Sequence, residues 1–226
     1  MTTKHNISRA SQVFAGAYHP GAFNMNGRAG APIGNLVQVS LGTPTVGATT
    51  TLRAAAAHAA AGDLTLDATT LDVARAISIT SDGVDTAVVF TVTGYDIGGQ
   101  LVVETITGVN ATTIAGKKAF KSILSISSDV AAAGNISVGD TDALGLPYAA
   151  LAAGDVLFQY ADATEELSAS TLVLADATKP ATATTGDVRG TINPNTVLDG
   201  SVEIKLWMKA DGSSPDALGG VAQYAG

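Results

Sequence analysis

The chain has 226 residues, enough for one large β-domain or two small ones around a sizeable core. Apolar residues make up 46% and charged residues 14%, which excludes a disordered chain, and the net charge of −8 repels phosphate and argues against nucleic-acid binding. Cysteine is absent, so disulfides, thiolate metal sites and cysteine nucleophiles are excluded, and no apolar run approaches the ~20 residues of a membrane span.

Met1-Thr2-Thr3-Lys4-His5-Asn6 has no apolar run of the signal-peptide kind, so a soluble compartment is expected. Residues 1–34 show little periodicity. Phe14, Tyr18, Phe23 and Met25 are scattered among glycines and prolines, and Lys4, Arg9 and Arg28 are the charges. Two readings stay open: a loop draped over its own domain, or an extended arm that orders on a neighbouring subunit. The basic arm differs in sign from the acidic remainder, which favours an acidic neighbour such as another copy.

A β-domain is expected over residues 35–210, with composition allowing a subdivision near 150. Asn35–Leu41 alternates as a strand does. Leu52–Ala61 is alanine-rich, so a short helix and a small-residue strand remain equal alternatives. Leu64–Asp67 reads as a strand, and Leu71–Arg75 leads into the central stretch. There, Ala76–Ser81 and Thr86–Thr93 read as strands about a turn at Asp82–Asp85. Tyr95–Gln100 returns the chain to a strand at Leu101–Thr107, and a further pair is expected at Ala119–Ser127 and Asn135–Val138. Val88, Phe90 and Val92 share one face. Glu104 reads either as a lone carboxylate base or, preferred, as a rim residue paired with Lys117 or Lys118.

Gly139–Pro147 is read as leaving the sheet. Asp140 and Asp142 there suit a solvated turn better than a calcium site, since a third acid and a bidentate glutamate are missing. Val156–Tyr160 and Thr171–Leu174 are expected to pair around the acidic loop Asp162–Glu166. Residues 179–186 read as a surface loop, and Asp187 with Arg189 as a small surface ion pair. Leu198-Asp199-Gly200 turns the chain into the clearest alternation of all. Val202, Ile204, Leu206 and Met208 fall on one face, opposite Glu203, Lys205, Trp207 and Lys209. Trp207, the single tryptophan, reads as a surface aromatic over lysine stems or as an interface anchor. Residues 211–226 read as a flexible tail.

Five blocks carry a resemblance: Gly94-Tyr95-Asp96-Ile97-Gly98-Gly99, Glu104–Gly108, Gly116–Ile123, Gly145-Leu146-Pro147 and Thr182–Thr191. Together they resemble the β-rich virion structural proteins of tailed bacteriophages, in the sense of capsid decoration (cement) proteins. The resemblance implies a virion protein on the outer capsid surface that binds the major capsid protein and bridges its subunits. It also implies a homotrimer, since cement proteins commonly sit where three capsid subunits meet.

The expectation is therefore an all-β protein, an antiparallel β-sandwich or jelly-roll-like barrel with extended N- and C-terminal arms. No cofactor, metal or catalytic residue is expected. His5, His19 and His58 lack metal spacing, and neither a nucleophile elbow nor a phosphate loop is present. The candidate interface residues are Phe14, Tyr18, Phe23, Met25 and Trp207. The alternative function is a tail-tube or other tail protein. A receptor- or glycan-binding module ranks third, because aromatics are only 5% of the chain and sugar sites need aromatic platforms.

Overall fold

Branched side chains dominate residues 70–138, and their preference for pleated backbone is met by some of the longest strands in the molecule. The computed structural model describes residues 35–165, 170–178, 180–210 and 223–224. The arm residues Phe14, Tyr18, Phe23 and Met25 lie outside them. The strands are β1 (Asn35–Gly42), β2 (Arg53–Ala57), β3 (Gly62–Asp63), β4 (Thr70–Ser81), β5 (Val89–Tyr95), β6 (Leu101–Thr107) and β7 (Thr113–Ser128). They continue with β8 (Asn135–Gly145), β9 (Val156–Ala161), β10 (Thr164–Glu165), β11 (Thr171–Val173), β12 (Thr191–Asn193) and β13 (Ile204–Ala210).

Every strand ladder among them is antiparallel. A nine-stranded sheet runs β11-β12-β8-β4-β7-β5-β6, with β2 also on β8 and β3 also on β7. A four-stranded sheet runs β1-β13-β9-β10, so the end of the domain returns to pair with its beginning. The chain is all-β, as its alternation predicts.

Two apolar clusters hold the sheets. The first lies on the larger sheet and contains Ile77, Ile79, Phe90, Val92, Phe120, Ile126 and Val138, all fully buried. The second joins the sheets. It sets Leu41, Val156, Ile204, Leu206 and Met208 of the small sheet against Val73, Leu144 and Ile192 of the large one. Val88, Phe90 and Val92 share the buried face, as expected.

One open choice is resolved and several local expectations are overturned. Residues 53–57 take the strand alternative, not the helix. Arg53 is buried, its guanidinium donating to the Ile136 and Ala57 carbonyls, while Ala54–Ala57 stay exposed. Leu64–Asp67 is not a strand: Leu64 and Asp67 bond to the Ile126 and Leu52 carbonyls in irregular backbone. The expected pairing of 119–127 with 135–138 does not form, because β4 lies between β7 and β8 and pairs with both. Residues 139–145 continue β8 instead of leaving the sheet. Residues 156–160 and 171–174 part company: β9 joins β10 and β13, whereas β11 joins β12 in the other sheet.

Asp140 consequently sits inside a strand and is buried, not solvated. Its Oδ1 accepts the Ala48 amide at 2.7 Å and its Oδ2 lies 3.5 Å from the Arg75 guanidinium. Arg75, fully buried, also donates to the Thr45 carbonyl at 3.0 Å and pairs with Asp72 at 2.9 Å. Asp142 accepts the Gly47 amide at 2.7 Å. The two aspartates and the arginine thus pin the 43–51 loop to the sheet. Burial pushes the Asp140 carboxyl above the usual carboxylate range, against the Ala48 amide and Arg75.

Candidate functional site

Two places concentrate polar or aromatic side chains. The first is a buried seam where residues 176–178 and 180–190 lie against the β5–β6 loop, β6 and β7. Asp96, in the β5–β6 loop, uses Oδ1 to accept the Gly98 and Gln100 amides, and its Oδ2 pairs with Arg189 at 2.8 Å. Asp187 is a hub. Its Oδ2 accepts the Ala119 amide at 3.0 Å, and its Oδ1 accepts the Arg189 and Gly190 amides at 2.8 and 3.2 Å. The i, i+2 pair is therefore neither exposed nor an ion pair on a strand face. Both residues are buried, and Arg189 takes Asp96 as its counter-ion. Four fixed donors reach Asp187, yet burial pushes its carboxyl upward.

Glu104 is in the same seam and is not a rim residue, being 3% exposed. It accepts the backbone amides of Lys117 and Lys118 at 2.5 and 3.3 Å, so the expected partners are right in position but act through their main chain. Gly116 makes room for it: a Cβ there would stand 2.7 Å from Glu104 Oε2. Burial pushes the Glu104 carboxyl up to about 7, against the two amides and Lys118. Lys118 is fully buried and donates to the Thr182 and Val103 carbonyls at 2.7 and 3.1 Å. Burial lowers its pKa, opposed by Glu104 and Asp187.

The backbone completes the seam. The Thr105 amide donates to the Ala183 carbonyl at 2.8 Å, so the loop covers the edge of β6, where an open strand would invite pairing. Gly190, at φ +86°, adopts a left-handed conformation that suits glycine, and its carbonyl accepts the Leu146 amide at 3.2 Å. The five sequence blocks that carry the phage resemblance all meet here: 94–99, 104–108, 116–123, 145–147 and 182–191. Their recurring Gly, Asp, Glu, Lys and Arg fasten one loop to three strands.

The second place is the outward face of the four-stranded sheet. Trp207 in β13 stands opposite Phe158 in β9 and Gln38 in β1. Lys205 stands opposite Tyr160 and Ser40 in the next register pairs. The Phe158 and Tyr160 rings lie 6.3 Å apart, and Phe158 is 41% exposed. Charges frame the rings: Lys205 pairs with Glu203 at 2.6 Å, and Lys209 approaches Asp155 at 3.9 Å. Trp207 therefore shares its sheet face with Phe158 and Tyr160 as well as with the lysines. Sequence reading missed Phe158 and Tyr160, although their i, i+2 spacing already placed both on one face of a strand.

Among the described residues, no cluster of three or more histidine or acidic side chains is arranged to hold a metal ion. No helix of the described residues is long and apolar enough to cross a membrane. Comparison of the chain with protein-family models, curated sequences and solved structures returned no match.

Proposed function

We propose that the chain is a structural protein of a tailed-bacteriophage virion, a capsid decoration or cement protein bound to the outside of the head. It would bridge neighbouring major capsid subunits and also contact copies of itself as a homotrimer. The observation that carries this reading is the Trp207–Phe158–Tyr160 face. Rings fixed on paired strands lose little conformational freedom on docking, and tryptophan and tyrosine are enriched among residues that dominate contact energies. The buried seam supports the same reading. It draws the resembling motifs into fastening a loop over a sheet edge, which suits a wall under load.

The test is the position of the protein in purified particles. Mild stripping is expected to release it from DNA-filled heads while tails stay attached, and a particle reconstruction is expected to place it on the outer shell. Trp207→Ala is expected to weaken head binding at least tenfold with little change in melting temperature. A sixfold ring of the protein stacked along the tail would overturn the head assignment in favour of a tail-tube protein.

A further inference from the structure

An edge strand exposes a row of main-chain N–H and C=O groups, and this fold covers or shortens such edges elsewhere. The Ala183 carbonyl lies over the edge of β6. β10 and β11 are only two and three residues long. β1 is different. It borders the four-stranded sheet, is eight residues long, and pairs with β13 on one side. Among the described residues, no main-chain group bonds to its other side. It also lacks the features that blunt an edge. Residues 35–41 hold no charge and no proline, and the single register shift, between Ser40 and Gly42, falls at the end of the strand. Its faces are unequal. Leu36, Gln38 and Ser40 stand beside Lys209, Trp207 and Lys205 on the outward face. Val37 and Val39 lie on the inward face and are only half-buried, although the next inward residue, Leu41, is buried. The border of the sheet therefore leaves both main-chain groups and apolar surface unfilled.

We propose that β1 is a self-association edge: β1 of one copy pairs antiparallel with β1 of a second about a twofold axis through Gln38, joining two four-stranded sheets into one. A twofold contact needs a surface that is its own complement. This strand is one. An axis at Gln38 overlaps all of residues 35–41. It sets Val37 of each copy against Val39 of the other, and Leu36 against Ser40. Inward residues then meet inward ones and outward meet outward, as an antiparallel ladder requires. The chain carries a net charge of −8, but β1 is neutral, so two acidic copies meet along a line without like charges. The same neutrality leaves nothing to select a charged foreign strand. Pairing also runs the two outward faces together, since Gln38 stands next to Trp207. The contact can join two single copies or two trimers, and it rests on neither the virion assignment nor the trimer.

The chain has no cysteine, so single cysteines report the pairing without background. Gln38 and Ser40 are exposed, which makes them safe positions to replace. Cysteines on the axis face each other directly, whereas two at position 40 stand about 13 Å apart, four residues' rise. Under mild oxidation, Gln38→Cys is expected to form linked dimers at least tenfold faster than Ser40→Cys. Ser40→Cys is expected to link to Leu36→Cys when the two are mixed. Equal rates at positions 38 and 40, or no linkage at either, overturn the pairing. Gln38→Lys sets like charges on the axis and is expected to weaken self-association at least tenfold in sedimentation, with recovery on mixing with Gln38→Glu. Amide exchange shows what covers the edge. Those β1 amides that β13 leaves free are expected to gain protection as wild-type concentration rises. Full protection at every concentration would mean that the chain's own segments cover β1, which overturns the proposal.

Discussion

At Glu104 burial outweighs two main-chain donors and a nearby lysine, so the carboxyl titrates at about 7 against an ordinary 4.5. An acid that holds its proton more tightly when folded gives stability that is complete below pH 4.5 and is lost as pH rises to 7. The difference corresponds to roughly 3 kcal/mol. Urea unfolding of wild type between pH 4.5 and 7.5 should therefore show a downward slope that Glu104→Gln reduces by about that amount. Equal slopes in the two proteins would show that Glu104 does not titrate in this range. Gln159 poses the opposite problem. It is fully buried on β9, and neither polar atom of its amide finds a hydrogen-bond partner among the described residues. Gln159→Met keeps the volume and removes the unpaired groups, so a gain of about 1 kcal/mol is expected in the same unfolding assay.

Among the elements, β4 is decisive, because it pairs with β7 on one side and β8 on the other. Its residues from Val73 to Ile79 are all buried, Ser78 included, so the alternation of apolar and hydroxyl residues over Ala76–Ser81 does not mark a solvent side: the strand is covered on both faces. β5 has one covered face, and Phe90, near its start, has no exposure. Phe90→Ala should cost about 3–5 kcal/mol, read as a fall of many degrees in melting temperature. A change of only a degree or two would mean that the packing around Phe90 collapses to fill the cavity. On β13 the same alternation separates two roles. Ile204, Leu206 and Met208 seal the joint between the sheets, while Trp207 faces outward beside Phe158.

For the molecule as a whole, association works against a net charge of −8 on each copy. If the proposed trimer is held by apolar and aromatic contacts, salt that screens this repulsion tightens it. Native mass spectrometry or light scattering is expected to show a larger trimer fraction at moderate than at low salt. A strict monomer in solution and on particles would rule the trimer out. Deletion of residues 1–32 is expected to leave the β-domain folded, since the described members of both apolar clusters, from Val39 onward, already pack on one another. The same deletion is expected to weaken capsid binding or self-association, because it removes Phe14, Tyr18, Phe23 and Met25. Circular dichroism and head co-sedimentation separate the two outcomes. Unfolding on deletion would place the arm in the core.

The strand content, the buried face shared by Val88, Phe90 and Val92, and the inward face of β13 were legible from local pattern, because one-sided burial writes itself as a period of two. Which strands become neighbours was not. Residues 119–127 and 135–138 look like a hairpin, but sheet pairing is decided by the insertion of β4 between them, a contact that no local period encodes. The polar residues were misjudged for a related reason. Asp140, Asp187, Arg189 and Glu104 resemble surface residues one at a time, since an isolated charge costs too much to bury. They are tolerated inside only because distant main-chain amides and counter-ions converge on them: Ala48 and Arg75 on Asp140, Ala119 and Gln223 on Asp187, Asp96 on Arg189, and the 117–118 backbone on Glu104. Hydrophobic periodicity is a property of one strand. The satisfaction of a buried charge is a property of the segments that meet around it, and only the folded arrangement brings those segments together.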